Sequence, residues 1–464
     1  MIYQSELLLV VYIFLSRLLK KKYGRQVNSF WIFIVVFFFL GLEDDSSRAN
    51  FSFHSPKHAE SILKALLLFG GCMVSYALKG QDFEKQTAVA VSVFGSLMAI
   101  SARNFLSLFI ALEITTIPLH WMFWSDCSRK QTAQGTIPLL QNTLKLVFTA
   151  EDRSVAPYFI FAMVGTGAYA LAIIWMYLSI ESLDFSEIRY SISFGHGRSH
   201  WWITFLMLNS LTIKQVVCPI YLWLSDTAHG KNLLITPYPL QMASQIIFYK
   251  LVTNVFYYLD GINILLTFGF LLMVCSSFSL IFQNNIKQIV IRCILSQMGT
   301  MFLCCAFPSH NGLQAMMFSM LAMIISFFGI SIVLKSRNIN TLADLPAIHR
   351  GHMLSAAAIS IIFLSLMGYP PFLGFWSQFY LCLALMGWRT AASVIHLVPC
   401  VFNMVCIAKI LDAIWFPRTQ VMPRLPPDHV LRKTIYLITL MLIAIVPLVN
   451  RVFSPVRVES YFVR

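Results

Sequence analysis

The amino-acid sequence predicts an all-α membrane protein with about fourteen transmembrane helices. Of its 464 residues, 58% are hydrophobic and only 12% are charged, whereas a soluble domain carries roughly 25% charged residues. Apolar stretches of ~20 residues, which suffice to cross a bilayer, recur along the whole chain. Because hydrocarbon offers the backbone no hydrogen-bond partners, such stretches must be helical.

The apolar stretches divide the chain into four parts. Residues 1–85 hold the first three predicted helices, and 86–260 hold a first group of five. A second group of five covers 261–420, and a last helix lies in 421–464. The individual spans are predicted near 3–19, 28–42, 61–78, 86–102, 104–124, 155–180, 201–223, 237–258, 262–282, 288–307, 313–334, 353–380, 391–415 and 431–449. Arg103 alone separates the fourth span from the fifth, which predicts a very tight turn.

The net charge of +14 is concentrated in loops and does not indicate a nucleic-acid-binding surface. Lysine and arginine cluster in the loops after odd-numbered predicted helices, and such loops stay on the cytoplasmic or matrix side of a membrane. Both termini are therefore predicted on the opposite side. An acidic partner surface is the alternative explanation. The N-terminal stretch lacks a signal-peptide cleavage site and a presequence-like composition, which favours an organelle-encoded or bacterial protein.

The ten cysteines show no metal-ligand spacing and no CxxC pair. All but Cys127 lie in apolar stretches, so they are interpreted as small buried apolar side chains. No haem, iron–sulfur, zinc or dinucleotide-binding motif occurs. The sequence therefore predicts a chain without a cofactor or metal of its own.

Three ionisable residues lie near the middle of predicted spans: Glu113, Lys214 and Lys250. A charged side chain at a helix centre costs ~2.5–3.5 kcal/mol, so three such groups need compensation. One interpretation is a structural Glu–Lys pair that holds helices together. The other is a proton relay, because an ammonium group taken out of water releases its proton more readily and a nearby carboxylate opposes that release. A relay requires a lysine and a glutamate on facing helices and an aqueous path.

Further ionisable residues lie in the thirteenth predicted span. Lys409 and Asp412 stand three positions apart and share one helix face. They are interpreted either as a proton-carrying site or as an ion pair near the membrane surface. His396 is interpreted as a hydrogen-bonded core histidine, with a role in proton transfer as the alternative.

Helix-breaking residues interrupt two of the spans. Pro219 lies five residues after Lys214, and Gly368 is followed by Tyr369 and by the pair Pro370 and Pro371. Discontinuous helices at corresponding places in two halves mark ion sites in transporters, because unwound backbone lines a cavity. The breaks fall in the seventh and twelfth helices, which predicts two inverted five-helix repeats, helices 4–8 and 9–13. Ordinary proline kinks are the alternative.

Four segments resemble the motifs of a known family, in the same order. LEITTIPLH, which contains Glu113, resembles LELxSLPLY, and IKQVVCPIYLWLSD resembles FKxxxxPFHxWxPD. NNIKQIVIRCILSQMG at 284–299 resembles NxKRLLAYSSIxHxG, and SLMGYPPFLGFWSQFYL resembles SLAGIPPxxGFxxKFYL. The agreement extends over roughly 95–420. On these motifs the chain resembles the antiporter-like membrane subunits of respiratory complex I, most closely the branch called NADH dehydrogenase subunit 2.

The resemblance implies fourteen helices with inverted repeats and a role in coupling quinone reduction elsewhere in the complex to proton movement. It implies that Glu113 modulates Lys214 and that Lys250 is a central-axis lysine of the eighth helix. The implied partners are other complex I membrane subunits, accessory subunits and lipids, with no nucleic acid. The chain would belong to NADH:ubiquinone reductase of the mitochondrial inner membrane, with the bacterial plasma membrane as the alternative, and would perform no redox chemistry itself.

Three departures from the family motifs concern the exit half of such a relay. The lysine of GFxxKF is Gln378 here, and an amide does not accept and release a proton. The sixth-helix lysine of xKYFLLG falls on Pro157, and the connection between the seventh and eighth helices is longer. Either water, Lys409 or His396 replaces the missing lysine, or the subunit is mainly structural. Complex I subunits 4 and 5, a free cation/proton antiporter and an unrelated solute transporter are the remaining alternatives.

Overall fold

The structure is a computed structural model that describes two compact units, Met1–Ile262 and Asn263–Arg464, in part. The described residues are 64–71, 73–74, 83–132, 156–193, 201–214, 246–247, 249–252, 261–307, 309–337, 341–346 and 353–416. The predicted spans at 3–19, 28–42 and 431–449 lie outside these residues, as does Pro219. The described residues contain helices and two isolated β-bridges but no β-strand.

In the first unit, each described helix is built from one of the apolar runs or follows directly after one. The helices are α1 (Phe83–Ser101), α2 (Phe105–Thr132), α3 (Ala156–Ile180), α4 (Phe185–Ser193) and α5 (Trp201–Lys214). α1 packs on α2, and α3 packs on both α2 and α5. Helical residues also occur at 64–71 and 249–251. The short helix α4 is absent from the sequence prediction because it is polar and only 9 residues long.

In the second unit, the described helices pack around α8. The helices are α6 (Gly261–Leu280, which enters the unit at residue 263), α7 (Ile286–Ala306), α8 (His310–Arg337), α9 (Met353–Leu366), α10 (Leu373–Trp388) and α11 (Thr390–Trp415), with a 3₁₀-helix at Leu342–Asp344. α8 packs on α7, α9 and α10, while α11 packs on α9, α10 and the 3₁₀-helix. α10 runs eight residues beyond the predicted end of the twelfth span.

Five of the described helices contain windows that are long and apolar enough to cross a membrane: those of α3, α6, α7, α8 and α11. In α7 and α8, 94% of these residues are buried inside the protein, so the two helices form the interior of the second unit. In α3 and α11 only 28% and 33% are buried. Apolar faces of this extent are typical of surfaces that contact lipid or another protein.

The tight turn between α1 and α2 is held by backbone hydrogen bonds to the segment before α4. Three residues form this turn, where the sequence predicted one, and its last residue, Asn104, makes a β-bridge with Asp184. Asn104 Oδ1 also accepts from the backbone N–H of Ser107 at 2.7 Å, which caps the N-terminus of α2. The turn is therefore fixed to a distant part of the chain.

The turn between α6 and α7 is held in the same manner in the second unit. Its last residue, Asn285, makes a β-bridge with Thr341, and the N–H of Leu342 donates to the carbonyl of Asn284 at 2.9 Å. The bridged segment again leads into a short helix, in this case the 3₁₀-helix. Both units thus contain an asparagine before their second helix that pairs with a later segment.

The helical path breaks between Leu366 and Leu373, and Pro370 and Pro371 lie in this gap. Gly368 has φ of 83°, a left-handed backbone conformation that favours glycine. Gly374, in the first turn of α10, passes so close to α9 that a Cβ at this position would lie 1.9 Å from the Ser365 carbonyl oxygen. The break is therefore a compact turn in which glycine is required at two positions.

Candidate functional site

Glu113 lies on α2 at its contact with α3, and its side chain is half-buried. The Thr166 hydroxyl of α3 donates to Glu113 Oε1 at 3.2 Å. The same hydroxyl lies 3.1 Å from the carbonyl oxygen of Ala162, one turn earlier on α3. A hydroxyl has one proton to donate, so Thr166 can shift its hydrogen bond between its own helix and the carboxylate.

We expect Thr166→Val to destabilise the protein by about 0.6–1.7 kcal/mol, the range found for hydrogen bonds between membrane helices. Valine keeps the shape of threonine but removes the donor to Glu113. Thermal unfolding of the solubilised protein measures the loss. Thr166→Ser, which retains the hydroxyl, is the matched control and should lie closer to the wild type. Equal midpoints for the valine variant and the wild type would contradict the contribution of this bond.

Lys250 lies in the helical residues 249–251, and its side chain is half-buried. Its Nζ donates to the carbonyl oxygen of Ile100 at 2.5 Å. Ile100 belongs to the last turn of α1, where carbonyl groups have no donor within the helix and carry the negative end of the helix dipole. The ammonium group of Lys250 is therefore held by the C-terminal end of another helix.

Glu113 lies on α2, and Lys250 contacts the neighbouring helix α1. These two helices pass very close to one another at Gly95, where a Cβ would lie 2.7 Å from the backbone nitrogen of Thr115. Glu113 is two residues before Thr115, and Ile100, the partner of Lys250, is five residues after Gly95. Lys214 is the last residue of α5, and its side chain lies outside the described part of the structure. Pro157 is the second residue of α3, a helix start, where proline is tolerated because it has no N–H to satisfy.

Gln378 lies on α10 next to the helix break and is buried, with 8% of its surface exposed. Neither its amide nitrogen nor its amide oxygen has a hydrogen-bond partner among the described residues. The hydroxyl groups of Ser365 and Ser377, which are also buried, likewise have no hydrogen-bond partner among the described residues. The break thus brings together several uncharged polar groups that can bind water but cannot hold a charge.

Gln297 is a buried polar residue that the sequence prediction did not single out. Its Nε2 donates at 2.8 Å to the carbonyl of Leu366, the last residue of α9, and its Oε1 lies 3.4 Å from the Thr300 hydroxyl. It therefore connects α7 to the break. Gln297 stands at the histidine position of the motif NxKRLLAYSSIxHxG, which was the available signal. Because an amide carries no charge, the rarity of charges in apolar stretches does not mark this position.

Lys409 donates to two backbone carbonyls just after α6, those of Ile281 at 3.3 Å and Gln283 at 3.0 Å. Asp412, one turn further along α11, is exposed. His396 is buried, with 1% of its surface exposed, and neither ring nitrogen has a hydrogen-bond partner among the described residues. His396 is thus a core residue, and the hydrogen bonds predicted for it do not occur among the described residues.

Within the described ranges, no group of three or more histidine, cysteine, aspartate or glutamate residues is placed to hold a metal ion. No disulfide joins the cysteines whose side chains the structure describes, and four of them, Cys293, Cys304, Cys305 and Cys406, are buried.

These features define a class: an integral membrane protein of many helices, with ionisable side chains held between them. Comparison of structures gives the same class. A chain of respiratory complex I from Thermus thermophilus with bound aureothin superposes with a TM-score of 0.74, at 17% identity, over 95% of this chain and 96% of that chain. A chain of an archaeal membrane-bound sulfane sulfur reductase gives 0.74 at 16% identity, over 95% and 74%.

Sequence comparison defines the family. The family described as NADH:quinone oxidoreductase/Mrp antiporter, TM, matches residues 146–403, more than half of the chain. NADH-quinone oxidoreductase subunit N of Rickettsia conorii is 24% identical over 374 residues, 77% of this chain and 76% of the relative. Its counterpart in Rickettsia typhi is 23% identical over 378 residues, 78% of each. The chain belongs to the NADH:quinone oxidoreductase/Mrp antiporter transmembrane family.

Proposed function

We propose that this chain is a proton-translocating membrane-arm subunit of a complex I-type NADH:quinone oxidoreductase. Its relatives carry the name of subunit N of that enzyme, and its fold is shared with a chain of respiratory complex I. Within the complex, we assign it the position of subunit N, which corresponds to subunit 2 of the mitochondrial enzyme. Its partners are the neighbouring membrane subunits, accessory subunits and lipids.

The observation that carries the proposal is the placement of Glu113 and Lys250. Both are half-buried among apolar helices of the first unit, and both have a specific partner on another segment, Thr166 for Glu113 and Ile100 for Lys250. An ionisable group inside the hydrocarbon region is costly. A purely apolar or neutral polar side chain would connect the same helices at lower cost.

Proton movement follows from opposing effects on the lysines. Partial burial disfavours an ammonium group, while helix carbonyls and a nearby carboxylate favour it. A change in the distance between Glu113 and Lys214 would alter this balance and would make Lys214 take up or release a proton. Lys250 then receives the proton or passes it on, with water between the groups. Quinone reduction elsewhere in the complex supplies the free energy.

Several finer assignments belong to the same proposal. The fold consists of about fourteen helices with inverted repeats over helices 4–8 and 9–13, and the matching asparagine turns of the two units support the repeats. The chain holds no redox cofactor. We propose the mitochondrial inner membrane as its location, and the asymmetry of its loop charges suggests that both termini lie on the intermembrane-space side.

Gln378 favours a second function, that of a structural subunit that does not move protons. An amide at this buried position cannot be protonated and deprotonated, so a relay through the second unit would have no titratable group at the break. In this case the chain would hold neighbouring pumping subunits in place, and Glu113 and Lys250 would only connect helices.

Replacement of Lys250 separates the two functions. Lys250→Met removes the ammonium group, and Lys250→Arg keeps a cation and a donor for the Ile100 carbonyl but does not release its proton. In assembled complex reconstituted into vesicles, we expect both variants to lower the number of protons moved per NADH oxidised. The control is the amount of assembled complex, measured by native electrophoresis. Unchanged proton movement in both variants would support the structural function instead.

A further inference from the structure

Lys250 and Lys409 make the same kind of contact in the two units. Lys250 donates to a carbonyl in the last turn of α1, the helix before the first asparagine turn. Lys409 of α11 donates to carbonyls just after α6, the helix before the second asparagine turn.

The asparagine turns show that these contacts occupy matching places. Asn104 follows α1 and pairs with Asp184, and Asn285 follows α6 and pairs with Thr341. In each unit, the lysine therefore lies against the end of the helix whose following turn is tied to a later segment. Two independent features, a backbone pairing and a side-chain contact, recur together.

The surroundings of Lys409 resemble those of Lys250. Its side chain is half-buried, between the buried residues Cys406 and Ile410 of the same helix. The carbonyl oxygens of Ile281 and Gln283, just after the C-terminal end of α6, accept from its Nζ. The elements packed here carry further charged or titratable groups, among them Arg292, whose Nη1 donates to the Ser279 carbonyl, Cys406, Asp412 and Asp344.

We propose that Lys409 is the proton-holding lysine of the second unit, the counterpart of Lys250, and that it performs the part that Gln378 cannot. The inference rests on the proposed function, since it extends the relay from the first unit to the second. It places the titratable group on α11, at the end of α6, instead of at the helix break. The break then supplies neutral polar groups that orient water, while Lys409 changes its charge.

The proposed reaction is a proton transfer between Lys409 and water. An N–H bond of the Lys409 ammonium group breaks, its electron pair stays on Nζ as a neutral amine, and the proton passes to a water molecule. This occurs on the side of the exposed Asp412, one turn further along α11. Reloading is the reverse reaction, with hydronium as the donor. The neutral amine retains two N–H bonds, which can still donate to the carbonyls of Ile281 and Gln283, so the end of α6 stays satisfied in both states.

The rival explanation is that Lys409 only caps the end of α6. Arginine separates the two roles, because it supplies a permanent cation with several donors and does not lose its proton. Glutamine supplies a neutral donor for the carbonyls. Both substitutes therefore preserve a cap, and neither can exchange a proton.

The experiment measures protons moved per NADH oxidised in vesicles that contain the assembled complex with Lys409→Arg or Lys409→Gln. We expect both variants to assemble and to move fewer protons than the wild type, by a factor similar to that of Lys250→Met measured in parallel. Arg389→Met is the control: Arg389 is an exposed cation over the ring of Trp388 at the α10–α11 turn, and its loss should leave the ratio at the wild-type value.

Every other outcome contradicts either the role of Lys409 or the proposed function. If Lys409→Arg moves protons as the wild type does, Lys409 is only a cap and the inference fails while the proposed function stands. Loss of the assembled complex in both Lys409 variants also overturns the inference. The inference gives Lys409 no structural role beyond the cap, and both substitutes preserve that cap. If the Lys250 variants leave the ratio unchanged, the proposed function itself fails.

Discussion

Replacement of Gly374 by alanine is expected to prevent the second unit from folding correctly at its helix break. The added Cβ would lie 1.9 Å from the Ser365 carbonyl oxygen and 3.1 Å from the carbonyl carbon. These are backbone atoms at the end of α9, so no flexible side chain can move aside. Overpacking a core costs about 1–3 kcal/mol and occasionally more, and we expect this variant at or above the upper end. The amount of assembled complex in membranes and its thermal midpoint should both fall.

Gly387 provides a matched control for this substitution because it lies on the same helix, α10. A Cβ at Gly387 would meet nothing within 4 Å. Alanine there should be neutral or slightly stabilising, since glycine in a helix interior costs roughly 0.5–1 kcal/mol relative to alanine. If both alanine variants assembled to the same level, the close approach of α9 and α10 would not constrain the break.

The second large effect is expected for Gln297→Leu. The substitution removes the donor that satisfies the Leu366 carbonyl at 2.8 Å, in a region where Gln297 itself is 3% exposed. A buried carbonyl left without its partner costs about 1–3 kcal/mol. The N–H groups of residues 367–369 already donate to carbonyls of residues 363–365, so they do not supply a substitute donor for the Leu366 carbonyl. Thermal unfolding should detect the loss.

Gln288→Leu is the corresponding control on α7, where Gln288 is only half-buried. Its substitution should change the midpoint little. A stability of Gln297→Leu equal to that of Gln288→Leu would mean that the bond to Leu366 does not hold the break together. Gln297→Met, of similar length but also without a donor, should behave like the leucine variant.

Much of the fold could be predicted because a membrane imposes a simple rule on sequence. Apolar runs of sufficient length must be helical, and α3, α6 and α11 begin and end within two residues of the predicted spans. The short helix α4 could not be found in this way. It is polar, with Glu187 and Arg189 exposed, and it begins directly after Asp184, which is paired with the distant Asn104.

The sequence alone indicates which ionisable residues are candidates for the site, but it does not indicate which groups they contact. Glu113, Lys250 and Lys409 stood out because charges are rare in apolar runs. Their partners did not, because Thr166 and the carbonyls of Ile100 and Gln283 are ordinary groups with no sequence signature. For the same reason Gln297 was missed: a neutral amide gains its importance from the carbonyl that it meets.

The lysine contacts have a consequence for the biogenesis of the protein. Lys250 and its acceptor are 150 residues apart in the chain, and Lys409 and Ile281 are 128 apart. The helix synthesised early in each unit therefore emerges from the ribosome long before the side chain that completes its end. Until then, water, lipid headgroups or an insertase must shield these carbonyls, so the end of each of these helices is completed only after the helix that carries the lysine has been inserted.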